Sequence, residues 1–178
     1  RIVTTEELSV EPRTFQTKAC WITVDDDSPL TAENLAGALH GTEHALIAAM
    51  PLYVLSDRAD IGGVSSPFHA DVGGPAVFIY DGVAGGIGLS EKAAELFPKI
   101  AELAYRMVSG CKCESGCPSC IHSPKCGNNN QMLDKETEDQ TNSDHANTDY
   151  IIDPVCCVEN PADPILIFFR NGLIQIEL

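Results

Sequence analysis

A chain of 178 residues with 44% hydrophobic content can bury the core of one ordinary domain with an appended tail, and two full domains would be crowded. Its formal net charge of -15 repels phosphate backbones and disfavours autonomous nucleic-acid binding. No run of about twenty apolar residues is available to span a bilayer, and the N-terminus lacks a basic-then-apolar secretion signal, so no membrane partner is expected.

In chain order, Thr14 to Val24 is rich in strand formers and sets Phe15, Cys20, Ile22 and Val24 among polar neighbours, which predicts one half-buried strand. Asp25, Asp26 and Asp27 end it as a solvated turn. Thr31 and Glu33 open a helix predicted over 32–50, where Leu35, Leu39, Thr42 and Leu46 recur at helical spacing beside Ala38, Ala45 and Ala49. Pro51 stops it, and Pro51 to Arg58 fits either a helix continued past a kink or a strand. Ile61-Gly-Gly-Val-Ser-Ser-Pro67 reads as a turn and loop, with Gly62 and Gly63 opening backbone angles closed to other residues. Ala76 to Tyr80 is a continuous apolar run bounded by Pro75 and Asp81-Gly82, the pattern of a central strand covered on both faces. A second helix starts at Ser90 and Glu91 and carries the stripe Ala93, Leu96, Phe97, Ile100, Leu103, Ala104 and Met107, with Pro98 kinking or breaking it.

From Gln131 the composition turns polar, and residues 131–178 hold ten acids against two bases. Residues 132–149 have nothing to bury and are expected to be disordered, while Pro164 to Leu178 places two apolar runs around Asn171-Gly172 in a hairpin pattern. The expected organisation is a domain over 1–130 and an acidic, largely disordered tail over 131–178. The chain opens on Arg1 without a Met and is expected to be a fragment or a processed product.

Five of the eight cysteines fall within Cys111-Lys-Cys113-Glu-Ser-Gly-Cys117-Pro-Ser-Cys120-Ile-His-Ser-Pro-Lys-Cys126. Pairs one or two residues apart, with Gly116 and Pro118 supplying turns, let thiolates converge on one tetrahedral zinc ion. The polar neighbours Lys112, Glu114, Ser115, Ser119, His122, Ser123 and Lys125 rule out a core of buried free thiols. An iron–sulfur cluster also uses thiolates and is the lesser alternative. A disulfide scaffold is disfavoured because cysteines are absent from most of the first hundred residues, and with no secretory context the thiols suit a reducing cytoplasmic or nuclear compartment. Cys113, Cys117 and Cys120 are the firmest ligands; Cys111 is preferred as the fourth, with Cys126 or His122 as substitutes. A closed site of four thiolates holds one structural zinc and leaves no position for reactive water.

His40-Gly-Thr-Glu43-His44 fits the HxxEH pattern of inverted zinc peptidases, with both imidazoles one helical turn apart. A metallohydrolase using His40, Glu43 and His44 is therefore one alternative function, and a helix that packs its histidines in the domain or presents them to a protein partner is the preferred reading. The glycine-rich loop 82–88 lies between a strand and a helix N-terminus, where bare amides attract anions; it lacks the residues of a phosphate loop or dinucleotide fingerprint and reads as a tight turn. Asp57, Arg58 and Asp60 read as a local ion-pair network at a turn.

Four blocks in order, Leu39-His-Gly-Thr-Glu-His-Ala-Leu, Asp57-Arg-Ala-Asp-Ile-Gly-Gly-Val-Ser, Phe78-Ile-Tyr-Asp-Gly-Val-Ala-Gly-Gly-Ile-Gly-Leu and the cysteine segment through Pro124-Lys-Cys-Gly-Asn, resemble the zinc-binding domain at the C-terminus of MrfA-type DEAD/DEAH-box helicases. The resemblance covers about residues 32–135, including Leu133-Asp-Lys. It implies a small mixed α+β domain with a few strands, two main helices and a zinc knuckle, serving as an accessory module beside the motor lobes of a superfamily 2 DNA repair helicase. By position it implies Cys111, Cys113, Cys117 and Cys120 as the metal ligands, and helicase motor domains in cis and DNA as partners. This chain carries no ATP-binding loop, DEAH box or arginine finger, so ATPase activity is not expected of it, and the acidic stretch after Leu133-Asp-Lys departs from the helix usual in the family.

Overall fold

The computed structural model describes residues 14–24 and 31–135. The Asp25–Asp27 turn, the acidic stretch from Glu136 and the C-terminal hairpin pattern lie outside the described residues. The chain forms the expected small α+β domain, in the order β1 (Ala19–Thr23), α1 (Leu35–Ala49), α2 (Pro51–Val54), β2 (Ile61–His69), β3 (Gly74–Asp81), α3 (Leu89–Glu95) and α4 (Phe97–Ser109).

The three strands form an antiparallel sheet in the order β1-β3-β2, with Trp21 opposite Phe78 and Gly63 opposite Ile79. The apolar run Ala76 to Tyr80 is the central strand, and all five residues are buried. Alternation sends Val77 and Ile79 to the helix-covered face, where they join the main core, and sends Phe78 to the other face, where its ring packs 6.2 Å from Trp21 and 5.0 Å from His69.

The first helix begins three residues later than its sequence pattern suggests, because residues 31–34 close a turn in which Asn34 Oδ1 accepts from the Thr31 amide at 2.8 Å. Helix α1 lies between the sheet and α4, and its buried positions run all round it rather than along one stripe. Pro51 does not end helical structure: it sits in the first turn of the short α2, which closes at Leu55 with φ 51°. The break near Pro98 falls at Leu96, which divides the second helical region into α3 and α4 with the proline in the first turn of α4. Leu39, Leu46 and Met50 pack with Ile61, Val77, Ile79, Ile100, Ala104, Val108 and Ile121 as the core.

A further expectation is corrected. Ile61 to Pro67 is not a turn and loop but part of the strand β2, paired along β3. Its glycines serve close approach instead of turning: a Cβ on Gly62 would stand 2.3 Å from the Tyr80 ring, and one on Gly63 would stand 2.7 Å from Ile47 Cδ1 and 2.8 Å from Glu43 Cγ. Gly63→Ala is therefore expected to wedge a methyl between β2 and α1 and to lower stability by about 1–2 kcal/mol in urea denaturation, the overpacking outweighing the small gain in chain entropy.

Candidate metal centre

Helix α4 ends at Ser109 with Gly110 as its cap, and the Cys111 amide donates to Val108 O at 3.1 Å, so the first thiol is launched from the last helical turn. Gly116, at φ 107°, turns the chain back; a side chain there would strike Ile121 and His122. The amides of Cys120 and His122 both donate to Cys117 O at 3.0 Å, folding Cys117 to Cys120 into a tight loop with both sulfurs inward. The four thiols at 111, 113, 117 and 120 then close a ring, with Sγ separations of 3.5 Å for 111–113, 111–117 and 113–120 and 3.7 Å for 117–120. Sulfurs about 2.3 Å from a tetrahedral zinc lie about 3.8 Å apart, so this ring has the dimensions of a four-thiolate site. The donor set and its spacing fit one such ion.

Two electrostatic features match that chemistry. A backbone hydrogen bond at Ser119 and the Cys111 side chain pull the Cys117 thiol down to about 7, whereas burial pushes Cys120 up to about 12. Four thiols this close do not all ionise unaided, and a divalent cation supplies the charge that deprotonates them together. Lys135 Nζ donates to Cys111 O at 2.8 Å and Cys113 O at 2.9 Å, bringing a cation to the backbone of the ring. Its neighbour Asp134 packs on Gly37 of α1, its amide donating to Gly37 O at 3.3 Å, and Leu133 packs against the core, so residues 133–135 lie against the domain. The Leu133-Asp-Lys block is thus a clasp over the ring.

Neither substitute ligand reaches this ring. His122 lies beside Gly116 and is not among the converging groups, and Cys126 joins a different set, with His40 and His44. In that set His44 Nδ1 is 2.7 Å from Ile121 O, and burial holds its pKa below the ordinary histidine value. Glu43, the fourth residue of the HxxEH pattern, does not converge with the imidazoles. Its buried carboxyl bonds to Ser65 on β2, and burial raises its pKa to about 7. What the sequence does not reveal is the partnership of Cys126 with the two histidines, 86 positions after His40 and 82 after His44. HxxEH on its own was the only available signal for it.

The glycine-rich loop already has its anion. Asp81, fully buried at the end of β3, accepts from the amides of Ile87 at 2.6 Å, Gly88 at 2.7 Å, Leu89 at 3.1 Å and Ser90 at 2.7 Å. The amides at the start of α3 are thereby satisfied from within the chain. Asp57 accepts from the Ala59 amide at 2.8 Å and caps the short 3-10 turn Arg58–Asp60, so its role is a local turn.

Comparison with known proteins converges on the same segment. Residues 42–121 match the MrfA Zn-binding domain family. The chain is 38% identical over 100 residues to the uncharacterized protein MJ1572.1 of Methanocaldococcus jannaschii, covering 54% of this chain and 89% of that one. It is 37% identical over 108 residues to the uncharacterized ATP-dependent helicase YprA of Bacillus subtilis, covering 60% of this chain, and 28% identical over 149 residues to the ATP-dependent helicase HRQ1 of Saccharomyces cerevisiae, covering 76%. The matched region is only 14% of the length of either helicase. Among solved structures, the DUF1998 helicase MrfA bound to DNA superposes with a TM-score of 0.58 at 33% identity, over 70% of this chain and 16% of that one. Among the described residues no helix is long and apolar enough to cross a membrane. With the fold, the four-thiol ring and the relatives in agreement, the chain belongs to the MrfA Zn-binding domain family.

Proposed function

We propose that the chain is a zinc-stapled, non-catalytic accessory module of an ATP-dependent DNA helicase that acts in DNA repair. The observation that carries this reading is the four-thiol ring of Cys111, Cys113, Cys117 and Cys120, whose 3.5–3.7 Å separations leave room for one ion and none for a reactant. In this role the four thiolates hold one structural Zn2+, fix the end of α4 and seat Ile121 in the core. The helicase relatives supply the context: an accessory domain with no ATP-binding motif of its own works beside motor lobes in cis, and DNA is reached through that larger protein. Reduced thiols of this kind belong in a reducing intracellular compartment, cytoplasmic or nuclear.

The test is to assay the zinc-loaded chain for ATP hydrolysis and for single-stranded DNA binding by fluorescence anisotropy across a salt series. No ATP turnover and weak or no binding are expected, since a net charge of -15 opposes a phosphate backbone. Tight binding that weakens steeply with salt would make the chain a DNA-binding domain in its own right and overturn the accessory reading.

A further inference from the structure

We propose that His40, His44 and Cys126 form a second metal site, separate from the four-thiol ring, that takes a zinc-like divalent ion with one coordination position open. The ring uses none of these residues.

The geometry is that of ligands rather than of chance neighbours. His40 and His44 stand one turn apart on α1, and the chain returns 82 residues after His44 to bring Cys126 against them, so that a nitrogen of each ring and the sulfur lie within 4.8 Å of one another. The His40 Nε2 to Cys126 Sγ distance is 3.5 Å. A tetrahedral zinc with nitrogen at about 2.05 Å and sulfur at about 2.3 Å sets that edge at about 3.6 Å. The imidazole rings meet edge to face with centroids 4.5 Å apart, which keeps them from stacking flat and shielding their nitrogens.

The surroundings orient each ligand. His44 Nδ1–H donates to Ile121 O at 2.7 Å, which leaves Nε2 as the nitrogen with a free lone pair; a carbonyl behind the ring is the usual second support of a ligating histidine. The amide of Asn130 donates to Cys126 Sγ at 3.3 Å, as suits a thiolate. The loop carrying Cys126 is pinned twice. The Asn130 side chain bonds both the amide and the carbonyl of Ser123, and Lys125 Nζ donates to the carbonyls of Arg58, Ala59 and Ile61.

Three protein ligands leave a fourth position, and here it has somewhere to open. His40, His44 and Cys126 line a cavity of about 440 Å³ together with Glu43, Tyr80 and Lys125. A water or a small anionic ligand fits there, whereas the four-thiol ring is closed. Two imidazoles and one thiolate form a borderline donor set, which suits Zn2+ and accepts Co2+ as a spectroscopic substitute.

The test counts metal and reads its ligands. The purified chain, equilibrated in buffered free zinc and desalted, is expected to hold two zinc ions by mass spectrometry, and Cys126→Ser and His40→Ala are each expected to hold one. In a Co2+ titration the second equivalent should add a weak sulfur-to-metal charge-transfer band from a single thiolate, absent in Cys126→Ser. One zinc per wild-type chain, or two that persist in both variants, would overturn the proposal. If Cys126→Ser loses its fold by circular dichroism, the wild-type cobalt titration decides alone: a second equivalent without a new thiolate band contradicts the site.

Discussion

Chelation is expected to lower the melting temperature of the zinc-loaded chain by roughly 15–30 °C. An ion that binds only the folded state stabilises it by about 4 kcal/mol when free zinc stands a thousandfold above Kd, and each kcal/mol moves the melting point of a domain of about 100 residues by about 4–8 °C. The stabilisation reaches beyond the ring because Ile121, directly after Cys120, is fully buried in the main core, while its own carbonyl accepts from His44 Nδ1 and orients that ring. Loosening the thiols therefore releases a core side chain and a support of α1 together. Cys113→Ser should reproduce most of the loss without chelator. Calorimetry or far-ultraviolet circular dichroism melts with and without chelator check both, and a chelator-indifferent melt would mean that packing alone holds the segment.

Asp81→Ala is expected to cost about 3–5 kcal/mol in urea denaturation with the zinc content unchanged. One carboxylate there serves four amides in succession, from Ile87 to Ser90, and an alanine leaves them without an acceptor at the buried start of α3. Thr17 reinforces the same corner, its hydroxyl donating to Asp81 O at 2.5 Å. Asp81→Asn keeps one acceptor oxygen and should lose about 1–2 kcal/mol. Equal losses for the two variants would show that volume, not hydrogen bonding, is what this position supplies.

Local patterns account for much of the fold as read from sequence alone. Leu35 to Leu46 carry the period of α1, the apolar run from Ala76 marks the central strand, and Pro98 signals the division between α3 and α4. The cysteine spacing is equally local, since Gly116 and the Cys117 to Cys120 turn bring sulfurs together within a few residues. The features that escape a linear reading depend on residues far apart in the chain. Gly62 and Gly63 look like turn residues, yet they are required by the Tyr80 ring across the sheet and by Ile47 and Glu43 on α1. Asp81 looks like a turn residue too, and only the path of the loop shows it facing the amides of α3. Cys126 reads as a spare ligand for the knuckle until α1 is set beside the loop that carries it.

The central claim, that Cys111, Cys113, Cys117 and Cys120 hold the structural ion, is tested most directly by zinc K-edge X-ray absorption on the chain loaded with a single equivalent of zinc. Four sulfur neighbours at about 2.3 Å are expected. A first shell mixing nitrogen with sulfur at that stoichiometry would contradict it.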